Sequence, residues 1–178
     1  RRWCAGRQFV GFSFVKMAHE FNKRGVAKKK PVGMRRRKRP VTDIRDGDSA
    51  FGVITGEPSG VTVIDCDVRS SYHALLDDYP TLRDTLTVET AKGFHLYCRY
   101  ATDAPNSTEV FRSYPKVDLR NDGGIIFAPP TGYVDCESGQ MLRYTVRSAD
   151  DAPLCEFPTQ LLGDLVGGSS SAAERTAP

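Results

Sequence analysis

The sequence predicts an α+β fold built on a mixed or antiparallel sheet. Three observations lead there: strand-like runs outnumber helical ones, several strands follow one another through short links, and helical patterning is confined to three segments. The first segment is set by Phe14, Met17, Ala18 and Phe21 at i, i+3, i+4 and i+7, with Gly25 behind them, which predicts an amphipathic helix over 13–24. The stretch KRGVAKKKPVGMRRRKRPVTD follows. Its two prolines, two glycines and dense like charge predict a loop, and its basic part, 23–39, holds ten Lys and Arg.

From AFGVITG onward strand, turn and strand succeed one another: Phe51 to Ile54, the turn TGEPSG, then a strand from Val61. A helix comes next, with Ser71 as N-cap, Tyr72, Leu75, Leu76 and Tyr79 on one face and Pro80 as its stop. Further strands are predicted at LTVET (86–90), FHLYCRY (94–100), VDL (117–119), GIIFA (124–128) and LRYTV (142–146). Leu161, Leu162 and Leu165 suggest a last short helix, and GGSSSAAERTAP has the composition of a linker. The expected organisation is one catalytic-sized unit over 1–166, with a motif-bearing core at 50–133, and a flexible tail over 167–178 leading to another domain.

Composition narrows the class. With 178 residues, 39% hydrophobic and 26% charged, the chain reads as a soluble globular protein. No apolar run approaches the roughly 18 residues of a transmembrane helix, and RRWCAGRQFV lacks the apolar stretch and cleavage site of a signal peptide, so no membrane partner and an intracellular location are expected. Five widely spaced cysteines without a C-x-x-C pair are expected to be reduced structural thiols, with no zinc. The net charge of +3 conceals a split: residues 1–39 carry 14 Lys and Arg against one acid (+13), and 40–178 carry 11 against 21 (−10). One arm suits a polyanion, the rest suits cations.

Three short stretches carry chemistry. In GVTVIDCDV (60–68), Asp65 and Asp67 are two residues apart, so on a strand both carboxylates share a face while Cys66 points to the other as core filler. Two such carboxylates either hold a hard divalent cation, Mg²⁺ or Mn²⁺, or cap the turn and helix that follow. In TAKGFHLYCRY, His95 follows Lys92 and Gly93. The three either form a basic pocket for phosphate, with the Gly93 amide approachable, or His95 is simply a structural histidine at a strand start. In KVDLRNDGGIIFAPPTG, Asp118 and Arg120 share a strand face as an ion pair, or as a third metal ligand beside a phosphate clamp.

Taken in order, a hydrophobic strand ending in D-x-D, a G-x-H strand and an h-D-x-R strand followed by GGIIFAPPT resemble the prim-pol branch of the archaeo-eukaryotic primase superfamily. The resemblance covers about residues 50–133. It implies an RRM-like sheet bearing the active site, packed against an N-terminal α/β lobe. It also implies a DNA primase/polymerase that joins NTPs or dNTPs on a single-stranded DNA template or primer, in the replication of a plasmid, virus or other mobile element. By position Asp65, Asp67 and Asp118 match that family's catalytic, metal-binding carboxylates, with Mg²⁺ or Mn²⁺ in a two-metal site. His95 matches its phosphate-contacting histidine, and Lys92, Gly93 and Arg120 neighbour that nucleotide pocket. Gly93 stands where relatives often carry serine, and the tryptophan that relatives carry ahead of the first motif is absent, Trp3 being the only one.

The basic stretch, with Lys28, Lys29, Lys30, Arg35, Arg36 and Arg37, is expected to contact template phosphates, although 35–39 equally fits a nuclear-localisation signal. A helicase domain C-terminal to the tail is a further expected partner. Two other readings stand beside the polymerase: a metal-dependent phosphohydrolase using D-x-D, whose sheet is usually parallel, and a catalytically inactive module that binds single-stranded nucleic acid.

Overall fold

The computed structural model describes residues 9, 12–21, 27–31, 51–134 and 139–166, with the backbone alone for 15–21, 27–31 and 133–134. Eleven strands, one α-helix and three short 3₁₀ turns appear among the described residues. Arg35, Arg36 and Arg37, most of the expected basic loop and the tail 167–178 lie outside them.

The α+β expectation holds, and every strand pair in the named sheets is antiparallel. The first sheet has four strands: β1 (Phe14–Phe21), β2 (Ala27–Pro31), β3 (Phe51–Ile54) and β8 (Ile125–Ala128), in the order β2-β1-β3-β8. The second has five: β4 (Val61–Cys66), β5 (Thr87–Glu89), β6 (Phe94–Arg99), β7 (Val117–Arg120) and β11 (Thr145–Val146), in the order β11-β5-β6-β4-β7. A small pair joins β9 (Gly132–Val134) and β10 (Met141–Arg143). The phosphohydrolase reading loses its footing here, since both neighbours of the D-x-D strand run antiparallel to it.

Five expectations need correction. The helix over 13–24 is strand β1. Its backbone is taken up on both edges, by Phe51–Val53 on one side and Ala27–Pro31 on the other, and such tertiary pairing outweighs a helical spacing of four apolar residues. The basic stretch is not all loop: Lys28, Lys29 and Lys30 lie in β2, in register with Glu20, His19 and Ala18. The helix α1 (Arg69–Asp78) starts earlier than Ser71; extended Val68 is its N-cap, and the Ser71 hydroxyl instead donates to the carbonyl of Pro115 at 2.7 Å. LRYTV is split between two sheets: the Tyr144 amide donates to the Thr131 carbonyl at 2.9 Å, continuing the pairing with β9, and from Thr145 the chain pairs with β5 instead. The C-terminal leucines form a 3₁₀ turn, Thr159–Asp164.

The five-stranded sheet is covered on both faces, which explains the unbroken apolar run that opens β4. Val61 and Val63 look toward the four-stranded sheet, in a cluster with Val53, Ile54, Tyr97, Ile126 and Phe127. Ile64 and Cys66 look the other way, among Leu75 and Leu76 of α1, Leu82, Leu96, Val117 and Leu119. Cys66 is thus core, as alternation requires, and burial pushes its thiol far up, with Asp65 and Asp67 adding to the effect. A fully buried leucine such as Leu75 stabilises by about 2 kcal/mol. Pro80 opens a 3₁₀ turn, Pro80–Asp84, directly after the helix C-cap Tyr79, as a proline stop should.

One buried side chain ties the sheet's rim together. Asn121, fully buried, donates to the Ala101 and Ala104 carbonyls and accepts from the Thr62 hydroxyl, so the loop after β6 is fastened to the end of β7. Among the described residues no helix is long and apolar enough to cross a membrane.

Candidate active site

β4 has β6 on one side and β7 on the other, and the registers align His95, Asp65 and Asp118 in one row across three strands. Directly opposite residues on antiparallel strands have Cβ atoms about 4.5–5.5 Å apart and share a face, so the row brings an imidazole and two carboxylates together. The face is that of Val61 and Val63, turned toward the four-stranded sheet, at the end of β4 where its apolar residues stop. Side-chain exposure rises from 5% at His95 through 12% at Asp118 and 16% at Asp65 to 26% at Arg120, so the site is open from the Arg120 side.

The contacts are specific. His95 Nε2 lies 3.3 Å from Asp65 Oδ1, and Arg120 Nε lies 3.8 Å from Asp65 Oδ2. Arg120, diagonal to Asp65 in the register, also donates through its terminal nitrogen to Asp118 Oδ2. The other Asp118 oxygen accepts the amide of Glu109 at 2.8 Å. Burial pushes the Asp118 carboxyl above its ordinary value; the Glu109 amide and Arg120 pull it down, and the charges on Asp65 and Asp67 push it up. Arg120 and Asp118 thus make the ion pair that one reading of the h-D-x-R strand anticipated, and Arg120 extends it to Asp65.

Asp67, expected to share a strand face with Asp65, lies just beyond the strand. β4 ends at Cys66, and Asp67 sits exposed in the bend before α1, its amide donating to the Lys116 carbonyl at 2.9 Å. Strand alternation therefore does not set its direction, although its charge still reaches Asp118.

Lys92 and Gly93 form the turn between β5 and β6, at the Asp67 end of the sheet. Both amides donate to the Thr90 hydroxyl, at 3.2 and 3.0 Å, so the Gly93 amide expected to meet phosphate is engaged within its own turn. The glycine itself is required by space: a Cβ there would lie 1.9 Å from the Cys66 carbonyl oxygen. A side chain at this position would need the two strands to move apart.

Two polar atoms beneath the row, His95 Nδ1 and the Tyr97 hydroxyl, are buried without a hydrogen-bond partner among the described residues. His95 also packs 5.6 Å from the ring of Tyr144 and 6.4 Å from that of Tyr97. Tyr97 could have been found from alternation, two residues beyond His95 on one strand. Tyr144 and Glu109 carry no local signal, because one arrives from a distant loop and the other contributes only its backbone.

Whether a divalent cation fits is decided by the donors. Asp65, Asp67 and Asp118 offer hard carboxylate oxygens whose charges crowd one another, as the effect of the other two on Asp118 records. The position between Asp65 and Asp118 is taken by the Arg120 guanidinium, and among the described residues no three acidic, histidine or cysteine side chains are gathered closely enough to hold an ion. Carboxylate oxygens are the donor type that suits Mg²⁺ or Mn²⁺, and the three acids would have to draw together, with Arg120 displaced, to hold such an ion.

Residues 11–160 match the family model described as Prim-Pol, bifunctional DNA primase/polymerase, N-terminal. A search of curated proteins returned no match.

Proposed function

The chain belongs to the Prim-Pol family, and on that premise we propose that it is a template-dependent nucleotidyltransferase, joining NTPs or dNTPs on single-stranded DNA. The observation that carries the reading is the row His95, Asp65, Asp118 across three adjacent strands, with Arg120 bridging the two carboxylates. A structural ion pair needs one acid for one arginine. Here a second carboxylate stands in register with the first, both partly exposed, where binding an incoming cation is its most evident use.

Asp65, Asp67 and Asp118 would hold the divalent ions, Mg²⁺ or Mn²⁺. When bound, such ions make a hydroxyl nucleophilic near neutral pH and neutralise a triphosphate. The protein's own groups do the rest. His95 and Lys92 supply hydrogen bonds and positive charge to the β and γ phosphates. Arg120 balances Asp65 and Asp118 until nucleotide arrives, then turns its planar fork to phosphate oxygens, a geometry that guanidinium suits better than ammonium. Phosphoryl-group chemistry of this kind rests on positioning and charge, so a rigid sheet is the appropriate support. Lys28, Lys29 and Lys30, with Arg35, Arg36 and Arg37, would hold the template backbone through counterion release.

The test is incubation with primed and unprimed single-stranded template, labelled nucleotides and Mg²⁺ or Mn²⁺. Extended or newly made strands with release of pyrophosphate support the reading. Inorganic phosphate without extension, or strand binding that is equal in EDTA with no product, overturns it.

A further inference from the structure

Among the described residues, two that are not glycine adopt a left-handed backbone: Glu109 (φ 46°) and Lys116 (φ 58°). A non-glycine residue held there is strained and persists only where its surroundings hold it. Both strained residues hold candidate metal-binding residues, Glu109 through the Asp118 carboxylate and Lys116 through the Asp67 backbone. The Glu109 amide donates to Asp118 Oδ1 at 2.8 Å, and the Lys116 carbonyl accepts the Asp67 amide at 2.9 Å. Their side chains meet each other, Lys116 Nζ lying 2.6 Å from Glu109 Oε1, and the Val110 amide donates to the Val117 carbonyl at 3.1 Å alongside. The loop 109–116 is therefore closed at its two ends by the very residues that are strained.

We infer that Glu109 and Lys116 form a clasp that positions Asp118 and Asp67 for the divalent cation. The balance of energies is close. Two left-handed residues oppose closure, while the hydrogen bonds to Asp118 and Asp67 favour it by a comparable amount. The exposed ion pair, with 56% and 61% of its side chains in solvent, adds only a small contribution. In so even a balance the ion pair decides whether the ends stay closed. If it opens, either residue can relax to an ordinary backbone, turning the Glu109 amide from Asp118 or the Lys116 carbonyl from Asp67. Both residues act through the carboxylates and touch neither substrate nor ion, so they are positioning residues.

The inference rests on the metal-site reading, and its test separates the two. Glu109→Gln, Lys116→Gln and the double variant are compared with the unaltered chain, reading Mn²⁺ binding from the electron paramagnetic resonance of the free ion. Backbone amide shifts of Glu109 and Asp67 are recorded without metal, and thermal melts confirm folding. Each single variant is expected to bind Mn²⁺ about two- to fivefold more weakly, because an exposed ion pair can shift the closed form by no more than its own small contribution. The double variant is expected to be no weaker than either single, because the two act as one unit. In both singles the Glu109 and Asp67 amide resonances should move together. Unchanged amides and binding, or losses that multiply in the double variant, overturn the clasp. A parent chain that binds no Mn²⁺ while both amides still move together in the single variants sinks the metal reading and leaves the clasp standing.

Discussion

Asp65 and Asp118 face each other directly across neighbouring antiparallel strands, and Arg120 reaches both. Like charges in direct cross-strand register are destabilising, so the pair is held at a cost that the single guanidinium only partly offsets.

That cost is measurable at Asp118. Its carboxyl lies above the ordinary 3.8, chiefly through burial, so the folded protein binds this proton more tightly than the unfolded chain does. The stability contributed by the protonated group is full below the ordinary value and is lost as pH rises through the raised one. Asp118→Asn is therefore expected to melt higher than the parent at pH 7, with the gap closing as pH falls below about 4, while nucleotide incorporation is lost. A lower melting temperature at pH 7 would show that the carboxylate is structural.

Gly93 tests the close approach of two strands. Gly93→Ala puts a methyl group 1.9 Å from the Cys66 carbonyl oxygen, a backbone atom that cannot step aside alone. A loss of 1–3 kcal/mol or more, typical of overpacking, is expected in denaturant melts. Because β4 would be displaced at the residue between Asp65 and Asp67, incorporation should fall further than stability does.

At the far side of the sheet, Glu89 is held below its ordinary 4.5, first by the hydrogen bond from Arg69 and also by Arg147, with burial opposing. Its stabilising contribution is present above that ordinary value and is lost as pH falls through the lowered one. With more than half of each arginine side chain exposed, Glu89→Gln should cost about 0.5–1 kcal/mol at pH 7. The difference should vanish in acid, as melts across that range would show.

The basic strand and segment are tested by salt. For single-stranded nucleic acid the slope of log affinity against log salt is roughly −0.7 for each phosphate contact. Replacing Lys28, Lys29 and Lys30 with Gln, or Arg35, Arg36 and Arg37, should reduce the slope by about 2 in either case if all three contact the template. An unchanged slope for one trio removes it from the interface.

What could be read beforehand follows physical range. The strands carrying Asp65, His95 and Asp118 were visible because β-branched and aromatic residues run between clear turn residues, and the Asp118–Arg120 pairing followed from a period of two. β1 was misread because its four apolar residues fit a helical spacing, and nothing local reveals that Ala27–Pro31 and Phe51–Val53 would take both of its edges. Asp67 lies one residue beyond the last residue of β4, a boundary that the sequence pattern does not mark. The Glu109 amide on Asp118 and the ring of Tyr144 beside His95 were out of reach, being contacts between segments far apart in the chain.

The central claim is that the Asp65 carboxylate belongs to a nucleotidyl-transfer site. Its most direct test is incorporation of labelled nucleotide on a primed single-stranded template in Mg²⁺ or Mn²⁺ by the parent chain and by Asp65→Ala, both shown to be folded. Extension by the parent that EDTA abolishes and Asp65→Ala lacks is the expected result. Undiminished extension by folded Asp65→Ala would contradict it.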